Sequence, residues 1–594
     1  MKKIFFSYKI FSLIIFISAN IVGTCGQTFT KITTGPVVTT DADSRSVNWV
    51  DINNDGLVDL FISNGKAGGQ NNMLYINLGG GQFTKVTSDS IVMDNKPSDG
   101  ATFADCDNDG DLDAFVVNWY NQNNLFYTND GAGNFTAISS APVVTSGGYS
   151  ETASWGDYDN DGLLDLYVTR SGGTVSTNKN LLYHNDGGNT FTKILSGTPV
   201  TDATISRCVN WTDMDDDGDL DLFVTNEGNF NNDENIYRND GIGLFTKITT
   251  GELVTNGAFT MSSSWGDYDN DGDLDVFLSN DRANNALFRN EGNLNFTKIS
   301  SDTVSNINAH SFSSAWSDID NDGDLDLFVT NSYYTDTKQL NFLYINNGNG
   351  SFSRINNTVP ATDSSWSYGC AFADYDNDGF EDLAVATVNF NNIDEPDFLY
   401  HNDGNSNQWI TIKLIGTITN KSAIGTKIRI KANINGLDVW QMREISAQTS
   451  YCGQNDLRAH FGLGNATMID SIIVEWLSGN KEIFSNINSN QFITITEGEG
   501  ILDLNKIEND LIVKIYPNPT SEWITITTDK NNFEKGSLIS ISDMNGSNIF
   551  EQQIQNDTNK VEINLNALRV KLKGLYNITI KNKSHLLVNK IVKF

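Results

Sequence analysis

Seven nine-residue segments of this chain put oxygen-bearing side chains at alternate positions, and that pattern is suited to binding a hard cation. They begin at Asp51, Asp105, Asp157, Asp213, Asp267, Asp318 and Asp374. Positions 1, 3, 5 and 9 hold Asp51, Asn53, Asp55 and Asp59 in the first segment and Asp105, Asp107, Asp109 and Asp113 in the second. The third has Asp157, Asp159, Asp161 and Asp165, and the fourth Asp213, Asp215, Asp217 and Asp221. The last three have Asp267, Asp269, Asp271 and Asp275; Asp318, Asp320, Asp322 and Asp326; and Asp374, Asp376, Asp378 and Asp382. Calcium takes six to eight oxygen ligands, which alternate residues of a tight loop can supply together with a main-chain carbonyl near position 7. Glycine at position 6 of every copy permits the sharp turn. The 27 carboxylates at these positions would repel one another strongly without cations. Up to seven structural calcium ions are therefore expected.

An EF-hand opens in a similar way but needs a bidentate Glu at position 12 and flanking helices. Position 12 here is Ile62, Val116, Val168, Val224, Leu278, Val329 and Val385, all apolar and in strand-like runs. The elements that position the loops are therefore strands. Two residues before each loop stands an aromatic, Trp49, Phe103, Trp155, Trp211, Trp265, Trp316 or Phe372. After each loop comes one apolar run, then a second such as Leu74-Tyr75 or Leu399-Tyr400, then an Asn/Gly turn. Phe83, Phe135, Phe191, Phe245, Phe296 and Phe352 open a further strand in six repeats. Four short antiparallel strands per repeat make one propeller blade. The last repeat lacks its fourth strand, while an unpaired copy, Phe29-Thr30-Lys31-Ile32, stands near the N-terminus. The expected fold is all-β: a seven-bladed calcium-binding β-propeller over residues 27–405, its last blade closed by a strand within 28–34, followed by two small β-rich domains. The repeats resemble the FG-GAP or VCBS type of integrin α-chain propellers, which implies calcium between the first two strands of each blade in a stiffening role.

The net charge of -35 argues against nucleic-acid or anionic-membrane partners, because a polyanion repels phosphates. Residues 1–26 read as a secretory signal peptide, with Lys2 and Lys3 ahead of a short apolar stretch. No later stretch is long and apolar enough to span a bilayer. Cys106, Cys208, Cys370 and Cys452 occupy unrelated repeat positions and read as buried thiols.

Residues 406–496 alternate as β structure and resemble the ASPIC/UnbV domain through Gly425, Arg443, His460-Phe461-Gly462-Leu463-Gly464 and Val474-Glu475-Trp476-Leu477-Ser478-Gly479. Leu477 stands where that family usually has Pro. A linker over 497–510 leads to a module at 511–594 with 11 Lys or Arg against 7 Asp or Glu. Its Tyr516-Pro517-Asn518-Pro519, Gly574-Leu575-Tyr576 and Lys590-Ile591-Val592-Lys593 are similar to the type A C-terminal sorting domain of the type IX secretion system. This resemblance implies that machinery as a partner, a Bacteroidota-type Gram-negative source, and export to the outer surface or beyond.

Within a blade the metal loops and the Asn/Gly hairpins share one face. The loops of the other face vary between repeats and carry Trp119, Tyr120, Tyr149, Phe230, Phe259, Tyr333, Tyr334, Trp366 and Phe390 among Asn and Asp. Such aromatics suit stacking on sugar rings or anchoring a protein. The expectation is a binding or adhesion module for a glycan or protein ligand at the cell surface, with no catalytic residues. The alternatives are a polysaccharide lyase or hydrolase on a propeller scaffold and a purely structural surface component. Outside the metal loops no carboxylate pair or Ser/His/Asp order stands out; His310, placed in a loop, is the one histidine worth testing.

Overall fold

The computed structural model describes residues 28–502, apart from 173–177, 228–232, 333–336 and 390–392, and the strands of the C-terminal module with a few flanking residues. The expected signal peptide lies outside the described residues. Among those described, seven antiparallel units of four strands follow one another along the chain from Phe29 to Asn402, the fifth and sixth joined into one sheet where Asp281–Asn284 pairs with Asn308–His310. The fourth of them is typical: Ser206–Thr212, Asp221–Asn226, Asn235–Asn239 and Phe245–Ile248. The first strand of every sheet touches the first strand of the next, and Ser367–Ala373 of the seventh meets Ser44–Val50 of the first, so these inner strands form a closed ring. The fourth strand of the seventh sheet is Phe29–Lys31, paired antiparallel with Phe398–Asn402 from the far end of the propeller. Closure by the N-terminal strand leaves no sheet edge open at the seam.

Repeated residues hold neighbouring blades together. The aromatic two places before each loop lies between sheets: Trp211 stacks on Tyr158 of the preceding blade at 6.1 Å, and its indole N–H donates to the Ser154 carbonyl at 3.3 Å. An Asn at the start of the third strand makes a second link. Asn72 accepts the Asn64 main-chain N–H at 3.0 Å and donates to the hydroxyl of Ser98 in the next blade at 3.2 Å. Asn180, Asn285 and Asn341 repeat both bonds.

The seventh blade has Asp397 at this position, with Ser44 donating to it at 3.0 Å. Burial pushes the Asp397 carboxyl up to about 7, so the folded chain holds a proton that the unfolded chain releases near pH 4. Stability is therefore lost as pH rises from about 4 to about 7. Asp397→Asn, which copies the residue of five other blades (the fourth has Glu234), is expected to be more stable than the parent at pH 8 by on the order of 2 kcal/mol and nearly equal at pH 4. Denaturant melts of both proteins at the two pH values check this.

The second domain has two sheets. Gln408–Ile415, Ala459–Gly464, Gln491–Thr496 and Gly500–Leu502 form one; Lys427–Ile434, Leu437–Glu444, Met468–Glu475 and Lys481–Asn488 form the other. It extends to Leu502 rather than ending at 496, because Gly500–Leu502 folds back on Thr494–Thr496. Glu497, expected to open the linker, is an internal anchor. Its carboxylate accepts the main-chain N–H groups of Thr417, Ile418 and Thr419 at 2.8–2.9 Å.

This domain caps the metal-loop face of the propeller. Its segment 446–458 runs down the central channel, and Gly453–Gln454 adds a short parallel strand beside Val47 and Asn48. Ala447 accepts a bond from Thr102, Gln448 from Asn210 and Tyr451 from Ser313, while Tyr451 and Phe372 donate main-chain N–H groups to Ser262 and Asn455. Ile410, Ile430 and Phe461 join Trp155 and Leu166 of the propeller in one apolar core. All four described cysteines are buried and free. The C-terminal module forms two antiparallel sheets around Ile524, Ile526, Ile539 and Ile541.

Candidate functional sites: metal loops and channel mouth

Each loop is wound by its own side chains. In the fourth, Asp213 accepts the N–H groups of Asp217 and Gly218, both at 3.1 Å. Asp221 accepts those of Met214 at 3.2 Å and Asn239 at 2.7 Å. Position 4 has positive φ in all seven loops: Asn54, Asn108, Asn160, Asp216, Asn270, Asn321 and Asn377 lie between 56° and 61°. Asn tolerates this left-handed backbone better than most residues, so the turn depends on position 4 as well as on Gly at position 6.

Position 3 carries the clearest sign of a missing partner. One oxygen, Oδ1, of Asp107, Asp159, Asp215, Asp269, Asp320 and Asp376 is buried and meets no hydrogen-bond donor among the described residues. Oxygens of Asp213, Asp215 and Asp221 lie within 4.8 Å of one another, as do those of Asp105, Asp107 and Asp113. This spacing suits ligands around one hard cation. Burial pushes Asp221 up to about 9 and Asp59, Asp105 and Asp113 up to about 7. A cation would offset that cost. His184 and His401 hold the position-9 carboxylates of Asp165 and Asp382 through Nδ1, each at 3.1 Å, and so serve the loops.

Side chains at position 4 also link the loops. Asn54 donates to Gly110 and Asp111 of the next loop, Asn270 to Gly323 and Asp324, and Asn377 to Gly56 across the seam. Asp216 cannot donate, and at this break the second domain supplies the missing donor. Arg429 reaches the Gly272 carbonyl at 2.8 Å, while Lys427 bonds Asp216 at 2.6 Å and Asp213 at 2.9 Å. Arg458 approaches the seventh loop at the Asp374 carbonyl, 3.3 Å, and His460 bonds Asn321 through Nε2 at 2.6 Å. The loops are thus a docking platform as well as candidate cation sites, and the second domain packs on the face they occupy.

Among the described residues the opposite face is open at the axis. Counting back seven residues from each loop start gives Ser44, Ser98, Ser150, Ser206, Thr260, Ser311 and Ser367, a hydroxyl in every repeat. The next residue varies, with only Arg occurring twice: Arg45, Asp99, Glu151, Arg207, Met261, Phe312 and Tyr368. The register of each inner strand shifts directly after this pair. Such bulges bend a strand and re-aim its side chains. These seven residues ring a cavity of about 270 Å³ at the channel mouth, with four charged groups on one arc and three apolar or aromatic ones on the other.

Tyr451 of the second domain lies against this ring. Its hydroxyl lies 2.6 Å from Glu151, 3.3 Å from Asp99 and 3.1 Å from the Tyr368 hydroxyl. Glu151 is fully buried and also accepts from Trp119 Nε1 at 2.6 Å, from Arg207 at 2.8 Å and from Ser171. Burial alone would raise Glu151, but Arg207 and these donors outweigh it and hold the carboxylate below the usual range. Burial and the neighbouring Glu151 charge push Asp99 well above that range.

Several expected ligand-face residues gather here. Trp119 packs edge-on against Tyr120 at 5.0 Å and Tyr149 at 4.8 Å, on one side of the mouth. Phe259 lies farther around the rim, beneath Arg282 at 4.8 Å. Trp366 is not surface material: it is 5% exposed, in the apolar cluster of Phe312, Tyr368 and Tyr451. Phe230, Tyr333, Tyr334 and Phe390 lie outside the described residues. His310 sits in the strand Asn308–Ser317 rather than in a loop, with Nδ1 held 2.5 Å from Asp281. The Asp99/Glu151 pair was missed by sequence reasoning, although both residues stand six places before a loop start, where the repeats diverge.

The chain carries FG-GAP-like repeats, matched at 51–116, 105–168, 213–278, 267–329 and 318–385. An ASPIC and UnbV domain follows at 416–502, and a secretion system C-terminal sorting domain at 514–593. The sorting domain marks the protein for type IX export to the cell surface or extracellular space. No helix among the described residues is long and apolar enough to cross a membrane. No curated protein is significantly similar in sequence. Among solved structures, BBS1N in complex with ARL6DN is 11% identical, covering 63% of this chain and 97% of that one, with a TM-score of 0.39. A mutant Aleuria aurantia lectin in complex with Fucα1-6GlcNAc is 12% identical, covering 55% of this chain and 98% of that one, with a TM-score of 0.32. PorZ of Porphyromonas gingivalis, a surface component of the type IX secretion system, is 10% identical over 94% and 82%, with a TM-score of 0.20.

Proposed function

We propose that this protein is an exported, calcium-stiffened binding module that presents a glycan or protein site on the face away from its metal loops. The observation that carries this reading is the ring of seven residues of six kinds around the channel mouth, set one step from a hydroxyl position that every repeat shares. Loops and strand ends on a rigid scaffold are a common place for function. The metal-loop face is occupied by the second domain, so the partner is assigned to the open one. Calcium is proposed for the seven loops because their donors are all oxygen and six of them have a buried, unpartnered Asp oxygen. There its role is to neutralise and rigidify.

A catalytic reading would use Asp99 as acid and Glu151 as base. Glu151, however, faces four donors already, from Trp119, Ser171, Arg207 and Tyr451. A carboxylate so fully engaged is a poor proton acceptor. This arrangement supports recognition over turnover. The test is a binding screen of the mature chain against glycan and protein arrays, with and without chelator, alongside a polysaccharide turnover assay. Retention of a defined ligand by the calcium-loaded protein, with no product formed, is the expected result. Turnover without retention would overturn it.

A further inference from the structure

The mouth of the propeller channel is a cup of about 270 Å³, and the Tyr451 hydroxyl bonds to three of its lining residues, Asp99, Glu151 and Tyr368. That space corresponds to roughly nine water molecules, too little for a folded partner's loop but enough for one small ring. Its two arcs differ in chemistry. Arg45, Asp99, Glu151 and Arg207 line one, with two positive and two carboxyl groups, and Met261 and Phe312 lie on the other. Trp119 forms a rigid aromatic wall, since its N–H is fixed on Glu151 and its ring is packed against Tyr149.

Tyr120 beside it is 45% exposed and has φ of +52°, a left-handed backbone that a bulky side chain adopts only under constraint. The strain projects an exposed aromatic at the rim of the cup, the kind of site at which such strain is retained. Glu227 and Asp281 add carboxylates around the mouth, and the whole chain carries a net charge of -35. An anionic ring would meet this field unfavourably. A ring with one apolar face and several hydroxyls would stack on the aromatic wall and exchange hydrogen bonds with the guanidinium and carboxyl groups.

Resting on the binding-module reading above, we infer that this cup receives a single neutral sugar ring, the terminal residue of a glycan, with Trp119 and Tyr120 against its apolar face. Tyr451 ties the site to the second domain, because its hydroxyl holds Asp99, Glu151 and Tyr368 of the lining.

The test titrates the full mature chain, calcium-loaded, with methyl glycosides of glucose, galactose, mannose, fucose and N-acetylglucosamine, with methyl glucuronide and with a peptide library. Calorimetry and tryptophan fluorescence are the readouts. At least one neutral glycoside is expected to bind and perturb the fluorescence, and methyl glucuronide to bind at least tenfold more weakly. Trp119→Ala should weaken binding more than tenfold. Tyr120→Ala, at an exposed position, should weaken it severalfold and keeps the idea testable should Trp119→Ala fail to fold. Glycoside binding unaffected by both variants would overturn the cup while leaving a binding module elsewhere on the protein. Binding of peptides alone would overturn the sugar assignment, and no binding to any glycan or protein array would overturn both readings.

Discussion

Stripping calcium from the mature chain with excess chelator is expected to lower its melting temperature by about 10–20 °C, and returning calcium to restore it. A ligand that binds only the folded state adds RT ln(1 + [L]/Kd), about 2.7 kcal/mol for a site at 100 times its Kd. Seven loops share the same ligand pattern, so four such sites alone would contribute about 10 kcal/mol, a sum comparable with the stability of a typical domain. The apo protein must keep pairs such as Asp213 and Asp215 together in partly or fully buried surroundings, where each added charge opposes the next. Magnesium should restore less than calcium, because it demands a near-octahedral shell and gives up its water reluctantly. Scanning calorimetry with chelator, then with each ion, measures this. A melting temperature indifferent to chelator would remove calcium from the account.

The loops and blades were legible because they are local and repeated. Nine-residue spacing, the aromatic two places earlier and the apolar position 12 are each visible within a single repeat, and seven copies remove ambiguity. What escaped depends on contacts between distant parts of the chain. Asp99 and Glu151 are 52 residues apart and meet only because consecutive inner strands turn about one axis. Gly453 pairs with Val47 across 406 positions, and no local pattern marks segment 446–458 as a plug. Asp216 is the one loop position 4 without Asn, a difference whose meaning appears only with Lys427 and Arg429 set against it. Trp366 looked like surface in a variable loop; it is buried in a cluster drawn from distant parts of the chain, with Met261, Phe312, Tyr368 and Tyr451. Aligning the repeats and asking where they differ would have found the channel mouth from sequence, since the position six places before each loop holds Arg, Asp, Glu, Arg, Met, Phe and Tyr.

Tyr451→Ala is expected to cost about 4 kcal/mol or more. Removing a fully buried aromatic side chain typically costs about 3–5 kcal/mol through lost contacts and the cavity left behind. The loss here includes packing against Tyr368 at 5.4 Å and a bond to the buried Glu151 carboxylate. Tyr451→Phe separates the two contributions: it keeps the ring and removes the hydroxyl, and should cost about 2 kcal/mol, the range for a hydrogen bond to a charged group. The two domains share one apolar core, so the parent protein should unfold its propeller and second domain in a single transition by denaturant. With Ala at the tip of the plug, the channel loses its strongest anchor to the domain beneath, and that transition should broaden or split. Near-zero cost for both variants would mean that the channel tolerates an empty axis and that Tyr451 does not tie the second domain to the mouth.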